Sequence, residues 1–88
     1  MTEDEAKATL KKEGYTHIFT WFDSPEEYYT PHTHPEDRDH IIIQGEATID
    51  MNGESHVYRV GDRFLLPANV SHAATIGPEG STYVFGKK

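Results

Sequence analysis

Turn signals punctuate this chain about every ten residues, and short strands between such signals indicate an all-β sandwich or barrel. Asp23-Ser24-Pro25, Gly45-Glu46, Asn52-Gly53, Gly61-Asp62 and Gly77-Pro78-Glu79-Gly80 are the punctuation marks. Between them lie runs rich in aromatic and β-branched residues, the side chains that suit a pleated surface. Strands are expected over 15–22, 26–30, 39–51, 55–60, 63–66, 72–76 and 81–85. Asn52-Gly53 is the strongest turn, since both residues enter positive φ readily and so favour a type I′ hairpin. Gly45-Glu46 permits a bend or bulge inside the longest segment. Before the first strand, residues 2–13 read as a helix. Thr2 and Glu5 stand in capping-box spacing, acidic residues fill the first turn, Lys11 and Lys12 the last, and Gly14 stops it. The expectation is one all-β domain over residues 1–88, with a short N-terminal helix. Ile41-Ile42-Ile43 breaks the in-out alternation, so both faces of that strand are expected to be buried, the second under the helix or a second subunit.

Eighty-eight residues form a small core, and cores of this size often lean on a disulfide, a metal or a partner. Cysteine is absent, which leaves metal and oligomer. A formal net charge of −7 disfavours nucleic acid, which needs a basic stripe. No apolar run reaches membrane-spanning length, and Met1-Thr2-Glu3-Asp4-Glu5 resembles no signal peptide, so a cytoplasmic location is expected.

The chemistry concentrates between His32 and Gly45. His32 and His34, two residues apart, share one face of a strand. Neutral imidazole is the commonest protein ligand for transition metals. His72 lies far along the chain, and a fold that joined the two stretches would make a three-histidine centre. His17 and His56 have no such company, and Tyr28, Tyr58, Tyr83, Phe64, Phe85 and Trp21 read as packing residues.

Both stretches resemble the two motifs of the cupin family. His32, His34 and Gly45 fill the places of the first motif. Gly61, Pro67 and His72 fill those of the second, with Asn69 where the family often has glycine. The resemblance covers roughly residues 28–86 and implies a jelly-roll β-barrel. It also implies one divalent transition metal per chain (iron, zinc, nickel, manganese and copper are not distinguished), a homodimer, and dioxygenase or isomerase chemistry on a small acid. A non-catalytic module for a small ligand or a structural metal is the alternative. The family's glutamate ligand falls on Arg38, and a guanidinium cannot ligate a metal. His40, on the same strand face as Arg38, is the candidate fourth ligand; Asp39 competes if the register shifts by one, and Glu36 is a weaker candidate. Arg38 itself is either a surface ion-pair residue or an anion clamp beside the metal, because arginine pairs carboxylates bidentately.

Overall fold

A computed structural model describes residues 1–88. Helix α1 (Glu3–Lys12) begins with the expected capping box. The Thr2 hydroxyl accepts from the Glu5 amide at 3.1 Å, and the Glu5 carboxylate accepts from the Thr2 amide at 2.9 Å. Those bonds hold the Glu5 carboxyl below its usual range. Ala6 and Leu10, one turn apart, are fully buried. They pack with Tyr15, Ile41 and Val84, so the helix is what covers the second face of the isoleucine strand.

Six strands follow: β1 (His17–Asp23), β2 (Tyr28–His32), β3 (Arg38–Met51), β4 (Glu54–Tyr58), β5 (Arg63–Leu66) and β6 (His72–Lys87). All pairing is antiparallel. The two long strands, β3 and β6, run side by side and are shared between two halves of the molecule. In one half the order is β1, the C-terminal part of β6, the N-terminal part of β3, then β5. In the other it is β2, the N-terminal part of β6, the C-terminal part of β3, then β4. The halves face each other. Ile42, Phe64 and Leu66 from the first meet Ala47, Ile49, Ala74 and Ile76 from the second in one apolar cluster. The pairing does not close into a ring, so the expected barrel takes the form of an open sandwich.

One expected turn is a corner instead. Gly77-Pro78-Glu79-Gly80 lies inside the unbroken strand β6, where two separate strands were expected. Here β6 crosses the bend of β3, and the β3–β6 register shifts between Gly45 and Ala47. Gly45 and Gly80 have φ of +76° and +81°. A Cβ on Gly45 would strike the Gly80 carbonyl, so both the conformation and the close approach call for glycine. Turn chemistry at this site therefore folds one half of the sandwich over the other. The Asn52-Gly53 turn, by contrast, is the hairpin its residues favour, with φ of +56° and +78° joining β3 to β4.

Candidate metal centre

His32 ends β2 and His72 begins β6, and the two are direct partners across the antiparallel ladder. His34 lies two residues further, in the loop before β3. Its carbonyl accepts from the Asn69 amide at 2.8 Å. Asp37 in the same loop accepts from the Ala68 amide at 2.7 Å. Those bonds stitch the first histidine stretch to the second. Asn69 has φ of +63°, the conformation that its place in the motif requires.

The result is three imidazoles around one point. Ring centroids lie 4.4 Å apart for His32 and His72, 4.8 Å for His32 and His34, and 5.0 Å for His34 and His72. One nitrogen from each falls within 4.8 Å of the others. Two rings are oriented from behind. His32 Nδ1 meets the Thr30 carbonyl at 2.6 Å, and His72 Nδ1 meets the Val70 carbonyl at 3.2 Å. With the proton on Nδ1, each ring leaves its Nε2 lone pair for a ligand, the usual arrangement behind a metal-bound histidine. Burial, then the Arg38 charge, pulls the His34 pKa down to about 4; burial also lowers that of His72. Both rings are therefore neutral near pH 7, as metal ligation requires. Three converging imidazole nitrogens, with open space on one side, fit a divalent transition metal.

That space is a cavity of about 280 Å³ between the two halves of the sandwich. Most of its wall is apolar, and the three histidines share it with Arg38 and His40. Arg38 occupies the expected glutamate position. Its Nε donates to Glu36 at 2.7 Å and its Nη1 approaches His34 Nε2 at 3.4 Å. The guanidinium bond holds the Glu36 carboxyl below its usual range, which ties up that weaker candidate ligand. Asp39 is turned to the opposite face of β3, where it accepts from Tyr15 and Arg63, so it does not compete for a metal. His40 stands apart from the triad. Its ring is stacked between Phe64 and Phe85, at centroid distances of 4.6 and 5.5 Å. It is buried, its Nδ1 has no hydrogen-bond partner, and burial lowers its pKa to about 3.

A second polar group in the cavity wall escaped the sequence reading. Asp23 at the end of β1 is 2% exposed. It accepts from Trp21 Nε1 at 3.0 Å, from the Tyr83 hydroxyl at 2.9 Å and from the Tyr29 hydroxyl. Burial first, then the Asp23 partner, raises the pKa of both tyrosines, so both hydroxyls stay protonated. Trp21 and Asp23 are two apart on one strand face, a local signal that Asp23-Ser24-Pro25 concealed by reading as a turn. Nothing local links Asp23 to Tyr83.

No curated protein matches this chain. Solved structures do match in fold. An RmlC-like cupin from Shewanella frigidimarina has a TM-score of 0.71 at 21% identity, over 80% of this chain and 62% of its own. KdgF from a Halomonas species has 0.69 at 22%, over 82% and 73%. The DMSP lyase DddQ from Ruegeria pomeroyi has 0.73 at 22%, over 81% and 36%. The chain thus spans less than two thirds of the Shewanella and Ruegeria proteins. The family model for the cupin domain matches residues 20–82, the stretch that contains both histidine motifs and every cavity-lining residue except Tyr83 and Phe85. By that match, and by a sandwich that holds its histidines where the motifs put them, the chain belongs to the cupin family.

Proposed function

We propose that this chain is a metal-binding cupin that acts on a small anionic molecule, with His32, His34 and His72 as the metal's holders. One observation carries the reading: three imidazoles, two of them fixed through Nδ1, converge at the edge of an apolar cavity. A bound divalent metal would supply Lewis-acid or redox chemistry at the positions that three protein ligands leave open. Arg38 binds and orients the anion. Its Nε is engaged by Glu36 and its Nη1 lies against His34 Nε2, which leaves Nη2 for a carboxylate oxygen. The stacked aromatic wall around His40 excludes water from the bound molecule. His40 is the sequence's fourth candidate ligand; its clamped position between Phe64 and Phe85 supports a role as wall, with the other three as ligands. Dioxygenase or isomerase turnover is the enzymatic form of the proposal. The fold is compatible with small-molecule turnover, as the Ruegeria lyase illustrates.

A second reading is a binding module without turnover. Arg38 in place of the family's carboxylate favours it, because the metal then lacks an anionic ligand. In either form we propose a homodimer, for which the expected observation is twice the chain mass in sedimentation at micromolar concentration.

Elemental analysis of untagged protein is the test. One transition metal per chain in the native protein, lost in His34→Ala and His72→Ala, supports the centre. Native protein that stays metal-free after incubation with iron, manganese, nickel, copper and zinc overturns it.

A further inference from the structure

The cavity carries opposite charges in two places. Arg38 supplies a guanidinium at one end. Asp23 supplies a buried carboxylate whose three partners, Trp21, Tyr29 and Tyr83, are all neutral. A buried carboxylate is normally offset by a cation, and no lysine, arginine or histidine pairs with this one. The register of β6 separates the two ends. Asp23 lies against Ser81 and Arg38 against Lys87, about 20 Å of strand apart, with the long arginine side chain reaching back into the cavity.

The Asp23 end is built to receive a donor. The Tyr83 hydroxyl spends its one proton on Asp23 and the Tyr29 hydroxyl its one proton on the Asp23 and Glu27 carboxylates beside it, which leaves each oxygen with lone pairs to offer a donor. Trp21, Tyr29 and Tyr83 also present ring surface there, and aromatic faces attract cations. An ammonium seated among them would meet hydroxyl oxygens and π-faces, with the Asp23 charge one hydrogen bond behind. Between the two ends His40 contributes to the wall of the same cavity.

We propose that the cavity takes a small dipolar molecule of the amino-carboxylate class, its carboxylate at Arg38 and its ammonium in the Trp21–Tyr29–Tyr83 cage before Asp23. This rests on the reading of the cavity as a small-molecule site and is independent of whether a metal is bound. Asp23 acts as a positioning residue, through the tyrosines it orients. The separation of the ends favours a chain of several methylenes over an α-amino acid.

Trp21 is the only tryptophan and lines the cavity, so its fluorescence reports binding directly. The experiment titrates metal-loaded and chelator-treated protein with ω-amino acids from glycine to 8-aminooctanoate. Each is matched by the carboxylate and the amine of the same length. One or more of the longer amino acids is expected to bind roughly tenfold tighter than both of its matched halves. Asp23→Asn is expected to erase the advantage of the amino acid over the carboxylate while leaving carboxylate affinity in place; Arg38→Gln should erase its advantage over the amine. If Asp23→Asn fails to fold, Tyr83→Phe, which removes one cage oxygen, should shrink the same ratio. Amino acids that bind no better than carboxylates, no binding by any member of the series, or a ratio unmoved by Asp23→Asn and Tyr83→Phe would each overturn the proposal. Binding of simple carboxylates alone would do so while leaving the anion-site reading intact, and loss of metal in the elemental test would leave the amino-acid result standing.

Discussion

The first residues of β3 point alternately to two very different environments. Asp39 and Ile41 face helix α1; Arg38 and His40 face the cavity. On the helix side every group has what it needs. Arg63 donates to both Glu13 oxygens, at 2.8 and 2.9 Å, and to Asp39 at 2.6 Å, and Asp39 also accepts from Tyr15. Ile41 and Val84 are fully buried against Leu10 and Ala6. On the cavity side an arginine has a partly free fork, the Nδ1 of a buried histidine lacks a side-chain partner, and three imidazoles crowd one point. Adjacent residues on one strand thus serve opposite ends. One face is satisfied and holds the protein together. The other is left incomplete, at a cost in stability, and is where a ligand would complete it.

Substitutions can separate the two faces. The largest effect expected is on the cavity side: His72→Ala should lower metal content from about one per chain to near zero while unliganded stability changes little, read by elemental analysis beside urea unfolding. Next is the helix side, where Ile41→Ala should cost about 2–5 kcal/mol with metal content of the folded protein unchanged. An effect on metal content comparable to that of His72→Ala would break the division. His40→Phe should do what few buried substitutions do. It removes an orphaned polar atom from an aromatic stack, so stability should hold or rise by roughly 1 kcal/mol while affinity for cavity ligands falls.

Acid tests the same variant. The folded-state pKa values of His34 and His40, about 4 and about 3, lie below the 6.5 of a free histidine. The unfolded chain therefore binds more protons in that interval, and stability must fall as the pH drops from about 6.5 toward 4. Urea midpoints measured across that range should fall less steeply in His40→Phe than in the native protein; an unchanged slope would show that His40 is not a source of it. The smallest effect belongs to the helix-side ion pairs. Arg63→Ala removes partly exposed bridges and should cost on the order of 1 kcal/mol, less at high salt.

The satisfied side was largely legible in the sequence because its signals are local. Thr2 and Glu5 announce the capping box, Asn52-Gly53 the hairpin, and the isoleucine run a strand with two covers. The histidine spacings likewise anticipated which rings the fold brings together, since His-x-His fixes a face and the second motif fixes where His72 enters. The rest depends on contacts across the chain. Gly77 to Gly80 carry the same residue chemistry whether they reverse a strand or bend it, and only the approach of Gly45 decides. Asp39 and His40 were both plausible neighbours of a metal, but strand parity sends Asp39 to Arg63, and Phe64 and Phe85 hold His40 in a stack. The Asp23 cage draws on β1, β2 and β6, and beyond Trp21 and Asp23, two apart on β1, no spacing points to it.

The place of β6 in the sheet bears on how the protein is made. This strand pairs with β1, β2 and β3, yet it is synthesised after all five of the others. Until it leaves the ribosome, β1 and β2 have no partner, β3 lacks its central neighbour, and His32 has nothing across from it. Only the β3–β4 hairpin and the β3–β5 pairing can form in the meantime. Until β6 emerges the growing chain must therefore carry unpaired strands and exposed aromatic residues, the state in which nascent chains most need chaperones. Assembly of the sheet, and of the histidine centre with it, waits on that one strand.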